Sequence, residues 1–583
     1  MRSLRIGLAQ INCTVGDLDG NLEKIKLYCR RGAELKVDLL AFPELAICGY
    51  PPEDLVLKPK FISDCQTSLK ELSDFSRELE KMTLIVGCID FDTDIYNGAA
   101  VINGGEIRCI YHKVFLPNYG VFDEQRYFKH GDKALVVLIG GVRVGVTICE
   151  DIWYSQGPQR VETTVGGAEV VVNINASPYQ VDKDKQRERM LATRAKEGLS
   201  TLAYVNLIGG QDELVFDGLS MIIDHEGKRV AEAGRFREDL LITDIDADAV
   251  SGARDIDKNW ASEGNDVESA DLLPVRQVIL SDQKIEGQKP SWSPRVFTKL
   301  GSDEEVLAAL RLGLADYVRK NGFAHVVVGL SGGIDSALTA VLAAQTLGAD
   351  NLTPVFLPSR FTSDDSAKDA AMLAQNLGVE LMVISIDDIF KNYLSSLEQA
   401  FKDKPQDITE ENLQARIRGN ILMALSNKFG WLLLSTGNKS EMSVGYATLY
   451  GDMSGGFAVL KDVTKTLVIR LARHINIGRV IIPERVITKP PSAELRPDQK
   501  DSDSLPEYGV LDQIISAYVE DNKSAREIIE SGFETKIVNE VIGMIDKSEY
   551  KRRQAPPGVK ITGRAFGKDW RLPITNAYRG RLP

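Results

Sequence analysis

One stretch of the chain combines glycine, serine and aspartate in a way that suits a phosphate ligand. From residue 326 it reads VVVGLSGGIDSALTAVLAAQ, an apolar run followed by a turn and a helical pattern. Its two glycines would let backbone N–H groups approach an anion, its two serines supply hydroxyl donors, and the helix presents its positive end. Because Asp335 would repel phosphates, we expect Mg²⁺ between them. A strand-to-helix turn capped by Asp335 is the alternative.

A second group of side chains has the types needed to hydrolyse an amide. Cys149 ends the apolar run of VGVTICEDIW, Glu44 follows a predicted strand in AFPELAICGYPPEDL, and Lys113 lies in YHKVFLPNYGVFDEQRYF. If the strand ends converge, Cys149 as thiolate would attack an amide carbon, Glu44 would move its proton, and Lys113 would hold the oxyanion. A positive Lys113 would also favour the thiolate. The alternative is a small buried hydrophobe, our interpretation of the other six cysteines.

The first half of the chain reads as short strands joined by helices and tight turns. A helical pattern spans residues 21–34, and NGGE and IGGVRV indicate tight turns. We therefore predict an α/β sandwich with sheets inside and helices outside. The predicted strands are LRIGLAQI, VDLLAF, MTLIVGCID, ALVVLI, VRVGVTI, AEVVVNI and LAYVNLI.

The second half alternates strand and helix more regularly. Strands are predicted at HVVVGL, LTPVFL, ELMVISI and WLLLST, with helices at 303–320, 364–378 and 412–428. This alternation predicts a doubly wound parallel sheet, with ligands at the carboxyl ends of its strands.

A segment of mixed charge and scattered proline separates the two halves of the chain. We predict one domain at 1–261, a linker at 262–292 and a second domain at 293–583. Within the linker, VRQVIL has the composition of an isolated strand.

Size and composition limit the classes of protein to which the chain can belong. A chain of 583 residues is too long for one core, and its 43% hydrophobic and 26% charged content is that of a globular protein. The net charge of −13 argues against a nucleic-acid partner. No apolar run is long enough to span a bilayer, and the opening MRSLRIGLAQINCTVGD is a poor signal peptide, so we expect a cytoplasmic protein without a membrane partner. An odd number of cysteines without CxxC spacing indicates neither a disulfide framework nor a zinc site.

The motif SGGIDS resembles the pyrophosphate loop of the ATP pyrophosphatases, which activate a carbonyl group by adenylation. The segments ENLQARIRGNILM, LLLSTGNKSEMSVGYATLYGDMSGGF, DVTKT, TKPPSAEL and SEYKRRQAPP are similar to those of the NAD synthetases over most of the second half. The resemblance implies a Rossmann-like fold, a mobile loop at SRFTSDDSAKDA and a lid that includes Thr488. It implies Mg²⁺ on Asp335 and Glu441 and ATP as cosubstrate. The implied ATP-binding residues are Gly329, Leu330, Ser331, Gly332, Gly333, Ile334, Asp335, Ser336, Thr436, Lys465 and Thr488, and the implied deamido-NAD-binding residues are Asn412, Arg416, Glu441, Asp452 and Lys551.

The segments around Glu44, Lys113 and Cys149 resemble the nitrilase superfamily over about residues 3–260, and within it the glutaminase domain of the glutamine-dependent NAD synthetase family. The likeness implies an α-β-β-α sandwich with Glu124 as an accessory carboxylate. It also implies glutamine-binding roles for Tyr119, Ser177 and Lys183. For Lys183, VDKDKQRER also reads as the start of an exposed charged helix.

Together the two resemblances imply one reaction. Deamido-NAD⁺, ATP, glutamine and water would give NAD⁺, AMP, diphosphate and glutamate, through a cysteine thioester, internal ammonia transfer and an acyl-adenylate. The family also implies a homo-oligomer. Three alternatives stay open: a tRNA-modifying enzyme, against which the acidic charge argues; GMP synthetase, which would have another type of glutaminase; and a silent nucleotide-binding scaffold.

Overall fold

The structure is a computed structural model that describes residues 2–79, 81–257, 260, 273–283, 289–292, 297 and 299–578. The chain forms two compact units. The first comprises Met1–Gln211 and Phe216–Lys299, and the second comprises Asp212–Val215 and Leu300–Pro583.

Two sheets form the centre of the first unit. One sheet has six strands in the order β14-β1-β2-β3-β4-β5, and the other has seven in the order β13-β12-β9-β8-β7-β6-β15. The strand bounds are β1 (Ser3–Gln10), β2 (Leu39–Ala41), β3 (Thr83–Phe91), β4 (Ile95–Asn103), β5 (Glu106–His112), β6 (Ala134–Ile139), β7 (Val142–Ile148), β8 (Val170–Asn175), β9 (Thr201–Asn206), β10 (Ile208–Gln211), β11 (Leu214–Asp217), β12 (Met221–Ile223), β13 (Arg229–Glu232), β14 (Asp239–Asp246) and β15 (Val275–Ile279).

Helices cover the outer faces of both sheets. The helices α1 (Leu18–Glu34) and α2 (Pro59–Phe75) pack together, and α2 lies against β3. On the other sheet, α3 (Pro158–Thr164) contacts β6 and β7, and α4 (Lys183–Glu197) contacts β9 and β12; α5 (Ala247–Ile256) follows β14. Between the sheets, every second residue of a strand points into one core, as Val144, Val146 and Ile148 do along β7. The predicted α-β-β-α sandwich is confirmed.

The strand predicted at VRQVIL exists but is not isolated. As β15 it pairs in parallel with β6, from Val275 opposite Ala134 to Ile279 opposite Leu138. It therefore forms an edge of the seven-stranded sheet. Residues 262–272 and 284–288 of the predicted linker lie outside the described residues.

The second unit contains a five-stranded sheet in which every neighbouring pair is parallel. Its strands are β16 (Val326–Gly329), β17 (Leu352–Phe356), β18 (Met382–Val383), β19 (Leu432–Ser435) and β20 (Phe457–Ala458), in the order β18-β17-β16-β19-β20. The predicted doubly wound sheet is confirmed, and its order reverses direction at β16, whose carboxyl end is where such sheets bind ligands. The prediction of a full strand at ELMVISI was too long, because only Met382 and Val383 pair with β17.

The second unit contains twelve α-helices within the described residues. On one face of the sheet, Ile417 of the longest helix packs on Val327, Val355 and Leu433. Near the carboxyl terminus, helices pack on one another in a separate cluster that includes Leu511, Ile514 and Val541. The helices are α6 (Ser302–Lys320), α7 (Ile334–Leu347), α8 (Asp364–Leu377), α9 (Asp387–Leu397), α10 (Ile408–Phe429), α11 (Lys439–Val444), α12 (Lys465–Ile475), α13 (Glu484–Thr488), α14 (Tyr508–Ile515), α15 (Ala525–Glu530), α16 (Thr535–Lys547) and α17 (Glu549–Arg552).

In the part of the chain that the structure describes, no helix is both long enough and apolar enough to cross a membrane.

Candidate active sites

Cys149 occupies a strained turn at the carboxyl end of β7. Its φ is +45°, a left-handed conformation that costs a non-glycine residue of order 1–3 kcal/mol, and only 4% of it is exposed. The backbone N–H of Ile148 donates to Oδ2 of Asp151 at 3.0 Å, which closes the turn around the cysteine. The strand thus presents the thiol at the edge of the inner core.

Asp151 connects this turn to the segment that follows β5. It accepts hydrogen bonds from the Tyr111 hydroxyl at 2.7 Å and from the backbone N–H groups of Val114 and Phe115 at 3.1 and 2.8 Å. Burial raises the pKa of Asp151 to about 6, against the opposing effect of these bonds. Because Lys113 immediately precedes Val114, Asp151 fixes the lysine and the cysteine relative to each other.

A buried ion-pair cluster lies beside Cys149. Nζ of Lys113 donates to Oε1 of Glu44 at 2.7 Å and to Oε1 of Glu124 at 2.8 Å, and all three side chains are almost fully buried. Nδ2 of Asn97 donates to Oε1 of Glu44 at 2.7 Å, and the Tyr50 hydroxyl donates to Oε1 of Glu124 at 2.8 Å. The structure therefore brings the predicted glutamate, lysine and accessory glutamate into contact, at the ends of β2 and β5 and in the following loop.

Lys113 favours the Cys149 thiolate, as expected, but other effects on the pKa of the thiol are larger. Burial and the carboxylate of Glu44 raise the pKa of Cys149 well above its usual value, and Lys113 opposes that shift only in part. Burial disfavours the Lys113 charge, yet Glu124 and Glu44 together raise the pKa of that ammonium well above its usual value. The effect of Lys113 therefore does not outweigh that of burial and of Glu44 on the thiol. Removal of the thiol proton needs a base within the cluster.

Burial also raises the pKa of Glu124, to about 7. The Lys113 ammonium opposes this rise, and the charge of Glu44 reinforces it.

The predicted glutamine-binding residues lie in two places around this cluster. The Tyr119 side chain is 57% exposed, and its hydroxyl donates to both carboxylate oxygens of Glu150 at 3.0 Å, next to Cys149. Nζ of Lys183, in the first turn of α4, donates to the carbonyl of Pro178 at 3.2 Å, beside the buried Ser177. The N–H of Ala176 donates to Oε2 of Glu44 at 3.0 Å, which places this second segment against the cluster.

In the second unit, the predicted phosphate loop connects β16 to α7. Gly332 has φ of +80°, and a Cβ there would lie 2.5 Å from the carbonyl oxygen of Ser366, so only glycine fits. The hydroxyls of Ser331 and Ser336 are 3.1 Å apart and bond the backbone of the loop. No side chain caps the first turn of α7, so its N–H groups are available to an anion.

Three charged groups meet beside this loop. Nζ of Lys465 lies 2.5 Å from Oδ2 of Asp335 and 3.1 Å from Oε1 of Glu441. The Asn438 side chain joins the two acids, since its Nδ2 donates to Oδ1 of Asp335 at 2.8 Å and its Oδ1 accepts from the N–H of Glu441 at 3.0 Å. Burial raises the pKa of Glu441 to about 7, although Lys465 opposes the shift. The two carboxylates raise the pKa of Lys465 above its usual value despite its burial.

These acids fit a magnesium ion. Both direct an oxygen at one cation, Lys465, so the position between them attracts positive charge. Mg²⁺ takes oxygen ligands, often one or two carboxylates completed by phosphate oxygens and water. No group of three or more potential metal ligands occurs among the described residues, and a site completed by the nucleotide needs none.

A cavity of about 460 Å³ extends from the loop. Thr436, at the end of β19, and Thr488, at the end of α13, both line it, together with the segment 486–495. The predicted lid therefore borders the predicted ATP site. Glu494 in this segment accepts hydrogen bonds from the hydroxyls of Ser363 and Ser366, at 2.9 and 2.7 Å, and so joins the lid to the other predicted mobile loop.

The predicted deamido-NAD-binding residues converge on the segment 445–452. Both Asn412 and Asp452 bond Thr448, and Lys551 donates to the carbonyls of Gly445 and Ala447, each at 2.7 Å. Nε of the exposed Arg416 donates to the carbonyl of Leu449 at 3.2 Å. Burial raises the pKa of Asp452 to about 6 and lowers the pKa of Lys551. Of this set, Glu441 and Asp452 line the cavity, and the other three hold the segment that borders it.

Sequence reasoning missed several of these residues. Asn97 was detectable as a polar residue inside an apolar strand, and Glu150 as a carboxylate next to the cysteine. Asn438 stands in the motif GNKSE, but its role as a bridge depends on contacts more than a hundred residues apart. Tyr508, whose ring lies 5.3 Å from Nζ of Lys465, has no local signal.

Comparison with known proteins gives both units a family. Residues 5–255 match the carbon-nitrogen hydrolase family and residues 306–555 match the NAD synthase family. The chain is 49% identical to a glutamine-dependent NAD(+) synthetase of Thermotoga maritima over the whole of both chains, and 49% identical to one of Aquifex aeolicus over 99% of this chain and all of the relative. Among solved structures, the glutamine-dependent NAD+ synthetase of Acinetobacter baumannii in complex with ADP is 38% identical, with a TM-score of 0.73 over all of both chains.

Fold and comparisons define a class of protein, a carbon-nitrogen hydrolase unit and an NAD synthase unit in one chain. More narrowly, the chain belongs to the glutamine-dependent NAD(+) synthetase family, whose members are ligases.

Proposed function

We propose that the chain makes NAD⁺ from deamido-NAD⁺, ATP and glutamine, and releases AMP, diphosphate and glutamate. The domain at 1–261 would hydrolyse glutamine, the domain at 293–583 would amidate the substrate, and residues 262–292 would link them. A homo-oligomer is the proposed assembly. The observation that supports this function best is the Glu44–Lys113 ion pair beside a strained Cys149, in one chain with the Ser331 loop.

The glutaminase reaction begins with the thiol. As Cys149 Sγ bonds to the side-chain amide carbon of glutamine, its proton passes to Glu44, and Lys113 stabilises the negative charge on the amide oxygen. The C–N bond then breaks, Glu44 returns the proton to the leaving nitrogen, and ammonia departs. Glu44 next takes a proton from water, which hydrolyses the thioester and frees Cys149 and glutamate.

Side chains around the cluster would orient glutamine. The Glu150 carboxylate, held by Tyr119, suits the substrate ammonium group, and Lys183 suits its carboxylate. Ser177 is close enough to Glu44, through its neighbour Ala176, to contact the substrate. Glu124 is the accessory acid that keeps Lys113 charged during the cycle.

The synthetase reaction makes the nicotinic acid carboxylate able to react with ammonia. Its oxygen attacks the α-phosphorus of ATP, diphosphate leaves, and ammonia displaces AMP from the acyl-adenylate. Backbone N–H groups of the Ser331 loop and Lys465 would bind the phosphates and stabilise their charge. Asp335 and Glu441 would hold Mg²⁺, which neutralises phosphate charge when bound. The Asn412, Arg416, Asp452 and Lys551 set would position deamido-NAD⁺.

The product nucleotide tests the proposal. Purified protein is incubated with deamido-NAD⁺, Mg-ATP and glutamine, each is omitted in turn, and AMP, ADP and NAD⁺ are quantified. We expect AMP and NAD⁺ in equal amounts, with all three substrates required unless ammonium replaces glutamine. Formation of ADP and orthophosphate would contradict the proposal.

A further inference from the structure

Arg418 is a partly buried cation in the cavity to which the proposed function gives no role. It lies in the middle of α10, its side chain lines the cavity, and its Nε donates to the carbonyl of Leu357 at 3.0 Å. Among the described residues, its two terminal nitrogens have no hydrogen-bond or ion-pair partner of ordinary geometry. Four N–H donors of the guanidinium therefore remain for a ligand.

The environment of Arg418 disfavours its charge but does not remove it. Burial lowers the pKa of Arg418 to about 10, so the guanidinium stays charged at neutral pH. The carboxylates that favour its charge, Glu494 and Asp387, bond other groups: Glu494 accepts from two serines, and Asp387 accepts from Arg360. A partly buried guanidinium whose neighbouring carboxylates bond other groups is well placed to bind a polar ligand that enters the cavity.

The surroundings of Arg418 suit a purine base better than a phosphate. Leu357 directly follows β17, and its neighbour Phe356 lines the cavity. One turn further along α10, Leu422 also lines the cavity and lies over Gly329 at the end of β16. Two apolar side chains thus line the cavity together with the guanidinium, whereas the proposed phosphate ligands, the loop after β16 and Lys465, are separate from it.

We propose that Arg418 is a specificity-determining residue for the purine base of ATP, an inference that rests on the proposed function. A free lone pair of the Leu357 carbonyl would accept from the exocyclic amine of adenine, and the guanidinium would donate to an adjacent ring nitrogen. Guanine has an oxo group where adenine has the exocyclic amine. That oxo group and the Leu357 carbonyl are both acceptors, so they would repel each other. Because the ribose and phosphates hold the base in place, guanine could not shift to a position with better hydrogen bonds.

The test separates recognition of the base from recognition of the phosphates. Binding of adenosine and inhibition by inorganic pyrophosphate are measured for the full-length protein, Arg418→Met and Arg418→Lys. For Arg418→Met we expect adenosine affinity and the ATP-over-GTP preference to fall roughly ten- to hundredfold, the loss of one or two charge-assisted hydrogen bonds. KM for ATP should rise more than kcat falls, and pyrophosphate inhibition should stay within about twofold. Lysine keeps the charge without the planar fork, so Arg418→Lys should recover only part of the loss.

Control measurements distinguish a failure of the proposed function from a failure of the assignment of Arg418. Lys428→Met changes an exposed cation of the same helix and should leave every value unchanged. If wild-type protein forms no AMP, the proposed function fails. If wild type is active and Arg418→Met binds adenosine normally, or loses pyrophosphate inhibition instead, the assignment of Arg418 to the base is wrong.

Discussion

At the scale of single residues, the structure separates two ways of activating a thiol. A lone lysine beside Cys149 would lower its pKa, but here Glu44 and Glu124 share the charge of Lys113. The pKa of the Cys149 thiol is accordingly raised, and in the proposed mechanism Glu44 takes its proton at the moment of attack. A protonated thiol in a 4% exposed position is also protected from stray oxidants, whose target is the thiolate.

Replacing Cys149 by alanine should separate the two half-reactions. We expect glutamine-supported NAD⁺ formation to fall roughly 10³-fold or more, because no other group forms the thioester. Activity with saturating ammonium should stay within about twofold, since the synthetase chemistry uses none of these residues. Steady-state rates with each nitrogen donor provide the measurement. Cys29→Ala, another buried cysteine, is the matched control and should keep both activities; loss of both in Cys149→Ala would indicate a structural role.

Asp335 belongs to the step that both nitrogen donors share. In Asp335→Ala we expect both activities to fall about 10²–10³-fold, as when one group that stabilises transition-state charge is removed. The fall should be the same with glutamine and with ammonium, whereas glutamine hydrolysis alone should persist. Asp350→Ala removes an exposed acid just beyond α7 and serves as the control. If the ammonia reaction survived in Asp335→Ala, the magnesium site would have been assigned to the wrong residue.

At the scale of elements, the sequence pattern predicted those strands and turns that depend on short-range interactions. Alternating apolar residues predicted the strands that end at Cys149 and the loop after β16, because period and turn composition are short-range properties. ELMVISI has the same apolar composition, but only two of its residues find a neighbouring strand. The bonds that Asn97 and Tyr50 make to the buried carboxylates, and those of Asn438 to two acids, could not be predicted even where the residue itself stood out, because most join residues far apart in the chain.

Helix α3 contains a buried acid that makes the first unit sensitive to pH. Glu162 is fully buried, and neither carboxyl oxygen has a hydrogen-bond partner of ordinary geometry among the described residues. Burial raises the pKa of Glu162 well above its usual value, and nearby N–H groups of Leu135 and Val146 offset the shift only in part. Because the folded state binds this proton more tightly than the unfolded chain, its contribution is complete below about pH 4.5 and is lost as pH rises through the folded-state pKa.

Glu162→Gln should remove that pH dependence. Glutamine has nearly the same shape and does not ionise, so the variant should gain stability relative to wild type as pH rises from 5 to 9. A gain of about 1 kcal/mol would raise the melting temperature by roughly 1–2 °C in a unit of this size. Thermal unfolding is followed across that range, with Glu188→Gln, a carboxylate of α4, as control. A difference between Glu162→Gln and wild type that does not change with pH would contradict the argument.

At the scale of the whole molecule, the chain pairs a source of ammonia with a reaction that consumes it. At neutral pH free ammonia is mostly ammonium, which has no lone pair with which to attack an acyl-adenylate. A synthetase supplied from solution would therefore use only a small fraction of the nitrogen around it. Joining both chemistries in one chain of 583 residues makes sense if the ammonia released at Cys149 reaches the adenylate before it is protonated in solution. This advantage requires that the nitrogen travel within the protein.

Isotope competition tests that requirement. With ¹⁵N-amide glutamine and an excess of ¹⁴N ammonium, we expect mass spectrometry of the product NAD⁺ to show ¹⁵N in most of the amide, because nitrogen that passes through the protein does not mix with the external pool. Cys149→Ala under the same conditions should give only ¹⁴N product, which shows that external ammonium can reach the adenylate. Since the variant and the wild type meet the same ammonium, any difference in label reflects the route and not the supply. Product diluted in proportion to the external ammonium would mean that the two sites exchange nitrogen through solvent, and the pairing of the units would then need another explanation.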